Sequence, residues 1–175
     1  MSDVKHAYWA SVKFNGDFYC INTYSGYRMY QLDFKGIQTL LPKVSSNEDL
    51  GQAVFNSQNR SRFVLPAPRA DVKIPKNVEF DMELFDYDKY NERYKAWVEG
   101  LMQHMGYKTK KKLFMYMHSC GVVRRDGQII LMPTIDDKEH CQTFEMKSDL
   151  NLSIPDTSTP EELGSAVRLA FSKVV

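Results

Sequence analysis

The sequence is poor in the features that would pair cysteines, cross a membrane or attract a polyanion. Its three cysteines, Cys20, Cys120 and Cys141, form an odd and sparse set with no CxxC or zinc-ribbon spacing, which excludes a disulfide scaffold and fits a reducing compartment. No stretch approaches the length of a membrane span, and the polar opening Met-Ser-Asp-Val-Lys-His has no apolar signal core. A soluble, cytoplasmic protein with no membrane partner is therefore expected. Lysine and arginine number 23 against 22 acids, so no global field draws the molecule to nucleic acid. There is no phosphate loop, no GxSxG, no HExxH and no dinucleotide fingerprint. The reading is accordingly of a chain that is not an enzyme and has no cofactor or resident metal.

What is present is ordinary globular material. With 175 residues, 43% hydrophobic and 26% charged, the chain is long enough for one well-buried core, and residues 1–175 are read as a single domain. Its charges are unevenly placed. Residues 106–128 carry six bases (Lys108, Lys110, Lys111, Lys112, Arg124, Arg125) and the single acid Asp126, whereas residues 78–105 carry seven acids and three bases. A bipolar surface follows.

One segment is written twice. Ser46-Asn47-Glu48-Asp49-Leu50-Gly51-Gln52-Ala53-Val54 returns as Thr159-Pro160-Glu161-Glu162-Leu163-Gly164-Ser165-Ala166-Val167. Each copy opens with a hydroxyl that accepts from first-turn amides and, three residues on, a carboxylate that reaches back, so each is a helix start. Pro160 suits the first helical position, and the acids lie at the positive end of the dipole. Leu163, Val167, Ala170, Phe171 and Val174 then share one face, which must be buried.

Elsewhere, Tyr8–Phe14 and Phe18–Thr23 flank Asn15-Gly16-Asp17 and predict a hairpin. A turn at 24–27, a short strand at 28–32 and the terminator Leu40-Leu41-Pro42 follow. After the first capped helix, Arg62–Pro66 reads as a strand and Pro68 and Pro75 punctuate a loop. Tyr87–His104 is an amphipathic helix with Tyr90, Tyr94, Trp97, Val98, Leu101 and Met105 facing the core and Gly106 as its stop. Asp81, Glu83, Asp86 and Asp88 lack calcium-loop spacing and read as a solvated acidic rim. Strands are predicted at 112–118, 121–124 and 128–134, the last two joined through Arg125-Asp126-Gly127, and again at 143–146 and 150–154. Runs of strands segregated from helices predict an α+β fold, a largely antiparallel sheet with helices packed to one side.

Two groupings could carry chemistry. His118, Cys120, His140 and Cys141 hold atoms that zinc prefers, but adjacent His140 and Cys141 would diverge on a strand, and no third group is visible to orient a histidine for a cysteine nucleophile. Lys108 to Lys112, beside Phe114 and Tyr116, is the one patch suited to phosphates and stacked bases, which makes a nucleic-acid-binding module using residues 108–112 the alternative function. A lysine-rich strand start also serves as a solvated edge that discourages stray pairing.

The terminal run Glu161 to Ser172, preceded by Ile154-Pro155 and foreshadowed by Leu50-Gly51-Gln52-Ala53-Val54, resembles the bacterial contact-dependent growth inhibition (CDI) immunity proteins, as do the length and the order of elements. The resemblance implies a protein that binds, one to one, the toxic C-terminal domain of a cognate cell-surface effector, often a nuclease, and performs no catalysis itself. It also implies strand addition as a mode of binding, in which a toxin hairpin extends the sheet: main-chain bonds supply affinity and side-chain pockets supply selectivity. No direct nucleic-acid contact is expected on that reading. Interface anchors are commonly aromatic or arginine, which nominates Tyr24, Tyr27, Arg28, Arg69, Phe114, Tyr116 and Arg124 as toxin-binding residues. Because the chain is near neutral, steering toward a cationic nuclease would fall to the acidic segment 78–105.

Overall fold

A computed structural model describes residues 4–71, 73–136, 144–146 and 148–174. In chain order the elements are β1 (Tyr8–Phe14), β2 (Phe18–Gly26), β3 (Tyr30–Leu32), β4 (Gln38–Pro42) and α1 (Asn47–Asn59). An intervening stretch holds β5 (Val64–Leu65), β6 (Glu79–Phe80), α2 (Tyr87–Met105) and α3 (Lys110–Phe114). Then come β7 (His118–Arg125), β8 (Gln128–Asp136), β9 (Phe144–Met146), β10 (Leu152–Pro155) and α4 (Pro160–Ser172).

Four strands and a helix therefore occur twice, and the correspondence reaches the hydrogen bonds. β3 and β4 lie one after the other along the outer edge of β2, as β9 and β10 lie along β8. Lys43 N donates to Asp17 O (3.1 Å) and Asp156 N to Gly127 O (3.0 Å); Ser45 N donates to Pro42 O and Ser158 N to Pro155 O. Ser46 Oγ accepts from Asp49 N and Thr159 Oγ1 from Glu162 N, and in the second copy Glu162 returns the bond to Thr159 N (2.7 Å). The two halves meet through β1 and β7, antiparallel, with Ser11 opposite Gly121.

The repeated Leu-Gly dipeptide explains itself where α1 crosses α4. A methyl on Gly51 would fall 2.7 Å from the Pro160 carbonyl carbon and 2.9 Å from Gly164 N, and one on Gly164 would fall 2.6 Å from the Asn47 carbonyl carbon. Asn47 and Pro160 hold equivalent places in the two copies, so each glycine admits the other helix's first turn. Backbone meets backbone, and Leu50, Val54, Leu163 and Val167 close the main core over Val12, Ile21, Ile129 and Leu131.

The α+β class and the antiparallel sheet are as expected, and the main helix layer, α1 with α4, lies to one side. Register sets the other face. Phe18 and Cys20 point there and are covered by α2 through Val98 and Leu101, by α3 through Leu113, and by Met117 in the turn that follows α3. Farther along the same face Trp9 stands opposite both Tyr24 and Val123.

Three local expectations are corrected. Lys112–His118 is not a strand: Thr109 Oγ1 accepts from Lys112 N (3.2 Å), which starts α3, and the buried Leu113 anchors that short helix, so β7 begins only at His118. Asp81 is not on a solvated rim; it is buried and takes hydrogen bonds from Lys35 Nζ (2.7 Å) and Arg62 (3.0 Å). The strand read at Arg62–Pro66 is cut to β5, which pairs in parallel with β6 outside the main sheet, because the prolines that follow cannot donate to a longer ladder.

Candidate functional site

On the face that α1 and α4 leave free, a cavity of about 600 Å³ opens between the β2–β3 turn and the β7–β8 turn. Its position follows from local sequence. Asp126 and Gly127 both take positive φ (50° and 79°), giving the mirror-type turn that keeps β7 and β8 in register. Gly26, which lacks space for any side chain beside Met29 and Tyr30, lets β2 fold back on itself. These two tight turns form the walls. Trp9 and Met132 form the floor, with Tyr30 stacked on Trp9 (centroids 5.4 Å apart, planes 21° apart). Arg28, Arg125 and Lys5 stand at the rim; Lys5 is bridged to Asp126 (3.2 Å), and among the described residues no carboxylate pairs with either arginine. The result is an aromatic basin with a basic mouth.

The basin continues along the sheet. Tyr30 meets Tyr24 edge-on (6.1 Å), and beyond Tyr24 lies Lys13, half-buried, its Nζ donating to Ser11 Oγ (3.2 Å) and Tyr24 Oη (3.4 Å). The Trp97 ring of α2 faces the same ammonium at 5.9 Å, while its indole N–H donates to Gln38 of β4. That contact ties α2 to the edge of the sheet. Beside it, Thr23 N donates to Ile37 O and Lys43 N to Asp17 O, so alternate residues of β4 face β2, and Gln38 and Leu40 turn their main-chain groups outward. No described strand pairs with that side of β4.

A second cavity, about 610 Å³, lies at the opposite end of β1 on the helix-covered face, with Tyr19, Lys43, Tyr116, His118, Arg168 and Phe171 among its walls. Arg168 is already engaged there: it donates to Asn47 Oδ1 (2.7 Å), Tyr19 Oη (2.8 Å) and the Ser45 carbonyl, fastening α4 to the start of α1.

Of the seven nominated anchors Tyr27 and Arg28 line the first cavity, and Tyr24 adjoins it through its edge contact with Tyr30. Tyr27 is held by stacking on Phe63 (4.9 Å, 12°). Arg69 lies apart, exposed and bonded to Asp71. Phe114 packs against α2 rather than presenting a platform for bases, under the Lys110 ammonium (5.9 Å). Tyr116, exposed, borders the second cavity. Arg124 points to the helix side, stacked over Tyr8 (4.8 Å) and donating to Asn59 Oδ1 (2.8 Å). The reading of residue types could not have grouped these seven, because it assigned no faces. It also passed over Lys13, Tyr30, Trp97 and Ser119. The signal for one of them was present: Trp9, Ser11 and Lys13 alternate with the small and aliphatic Ala10 and Val12, which marks a strand with polar groups on its second face.

Thiol chemistry has no footing at Cys120. Burial pushes its thiol up to about 12, and it sits in the main core; burial likewise pushes Cys20 up to about 11, against a smaller opposing pull from Lys13. His140 and Cys141 lie outside the described residues.

Comparison with known proteins gives this geometry its setting. A family model described as "CDI immunity protein" matches residues 8–174. The chain is 44% identical over 174 residues to Immunity protein CdiI-YPIII of Yersinia pseudotuberculosis serotype O:3 (strain YPIII), covering 99% of this chain and 98% of that protein. Among solved structures it is similar to a chain of a CdiA-CT/CdiI toxin and immunity complex from Yersinia pseudotuberculosis (TM-score 0.93, 42% identity, 99% of this chain and 100% of that one). It is similar also to a protein of unknown function from Neisseria meningitidis (TM-score 0.83, 27% identity, 100% and 99%). A match along nearly the whole chain, in sequence and in backbone alike, places this protein in the contact-dependent growth inhibition immunity protein family.

Proposed function

We propose that this protein neutralises the C-terminal toxin domain of a cognate contact-dependent growth inhibition effector by binding it one to one, with no reaction of its own. The observation that carries this reading is the full-length likeness to a chain found in a toxin and immunity complex. The toxin is read as a nuclease and the mode of binding as strand addition, both by family resemblance. Two features support strand addition here. The outward amides of Gln38 and Leu40 give an incoming strand a ladder to join, with Pro42, which has no amide, ending the edge. On the free face, alternate side chains of such an incomer would lie beside Leu40 and the Trp97 ring that α2 holds against Gln38.

Coexpression with the adjacent effector's toxin domain is the test. Copurification of a one-to-one complex and protection of cells is the expected result; separate elution, or killing that the protein does not relieve, overturns the proposal. The alternative, nucleic-acid binding through Lys108 to Lys112, predicts affinity for a DNA or RNA duplex that falls steeply with salt.

A further inference from the structure

The strip between the aromatic basin and α2 carries an ammonium for which the described residues provide no counter-charge. Lys13 has three N–H groups, of which two are given to Ser11 Oγ and Tyr24 Oη, and no carboxylate among the described residues lies within salt-bridge distance of it. Ser119, directly across from Lys13 in the β1–β7 register and thus on the same face, is buried (8% exposed), and its hydroxyl has no partner among the described residues. Tyr24, accepting from Lys13, retains its own O–H to give. The neighbouring Thr134 Oγ1 donates its proton to the Ser119 carbonyl (2.9 Å); its lone pairs stay able to accept, but a neutral hydroxyl brings no counter-charge to the ammonium. Three donors, one of them a half-buried ammonium, thus border the same patch of sheet. A buried polar group is ordinarily satisfied, and an ammonium drawn from water ordinarily has a counter-charge.

Resting on the function proposed above, we infer that Lys13, Ser119 and Tyr24 form a carboxylate-binding pocket, and that its occupant is an aspartate or glutamate side chain of the toxin. The chemistry selects this ligand. A carboxylate accepts from all three groups at once and supplies the missing charge; a cation would meet the ammonium, and a neutral amide would leave it uncompensated. Gly121, next on the same face of β7, leaves room for Met132, whose Cε an added methyl would meet at 3.2 Å, and for the Tyr30 hydroxyl at 3.8 Å, so the basin's aromatic and methionine wall reaches up to this strip. The bases at the mouth, Arg28 and Arg125, carry the same sign and draw the same kind of segment inward. An acidic element of the toxin, rather than a cationic nucleic-acid cleft, is what this face receives.

The test uses the full chain and its cognate toxin domain, measured by calorimetry or surface plasmon resonance. Lys13→Met keeps the length of the side chain and removes the charge; it weakens binding by about thirtyfold or more while the melting temperature of the free protein holds. Lys13→Arg restores affinity to within a few-fold of wild type. Treating the wild-type complex with a water-soluble carbodiimide joins the Lys13 amine to the facing carboxylate as an amide, the carboxyl oxygen leaving on the carbodiimide as the urea, and peptide mass spectrometry names the toxin residue. Lys13→Met binding within threefold of wild type overturns the pocket, as does a loss that Lys13→Arg fails to recover. Absence of any wild-type complex would instead overturn the function itself, so the two failures are told apart.

Discussion

Substituting alanine for Gly51 tests the fold at its most constrained point. In an isolated helix this change is favourable by about 0.8–1 kcal/mol, and Gly100, mid-way along α2 with nothing within 4 Å of an added methyl, shows that benefit undiluted. At Gly51 the methyl falls 2.7 Å from the Pro160 carbonyl carbon and 2.9 Å from Gly164 N, both backbone atoms that no rotamer change can move. The helices must part by roughly 1 Å, which forfeits a quarter to a half of each dispersion contact across the seam. The contacts at stake are those of Leu50, Val54, Leu163 and Val167. Overpacking of this kind costs about 3 kcal/mol, at the upper end of the usual range, and the propensity gain returns ~1 kcal/mol. A net loss of about 2 kcal/mol corresponds to a melting temperature lower by roughly 4–8 °C for a chain this long. Urea titrations of Gly51→Ala, Gly164→Ala, the double variant and Gly100→Ala are the assay. Because one separation accommodates both methyls, the double variant loses less than the sum of the singles. A Gly51→Ala protein as stable as wild type, or more so, refutes the reasoning.

Further expectations concern charge, caps and binding. Arg62 holds the buried Asp33 and Asp81 together, so Arg62→Met takes the only cation from Asp33 among the described residues, leaves Asp81 to Lys35 alone, and costs about 3 kcal/mol in chemical denaturation. Burial pushes both carboxyls up, but Arg62 with Ser25 at Asp33, and Lys35 with Arg62 at Asp81, outweigh it and hold each below the ordinary carboxylate value. The unfolded chain therefore takes up these protons first: the contribution is complete above the ordinary range near pH 4 and fades as pH falls through the lowered values, which also narrows the gap to Arg62→Met. Calorimetric melts from pH 7 to pH 2 follow both trends. Thr159→Ala breaks a reciprocal cap and lowers stability by about 1 kcal/mol in urea titrations. Arg28→Glu with Arg125→Glu reverses the mouth of the basin and slows toxin association measurably in low salt, by tenfold or more, with the difference shrinking as salt rises.

How much of this was open to reading differs by element. Hairpins at Asn15-Gly16 and Asp126-Gly127, the helix from Tyr87 to its Gly106 stop, and the twin capped helices all rest on contacts a few residues apart, and those are written directly in the chain. Where the reading failed, a distant partner decided. Lys112–His118 looks like a strand until Leu113 is drawn into the core beneath α2. Asp81 looks solvated until Arg62, nineteen residues earlier, reaches it.

By itself the sequence determined the local vocabulary: which segments are hairpins, where helices start, that no charge excess or catalytic motif is present, and that one helix start is used twice. Only the tertiary structure decided that the two copies cross glycine to glycine, since that close approach is a property of two helices and not of either. It alone decided that Trp9, Lys13, Tyr24 and Ser119 share a face. Side chains alternate along a strand, but which strands stand side by side, and in what register, is settled by the packing of residues more than a hundred positions apart.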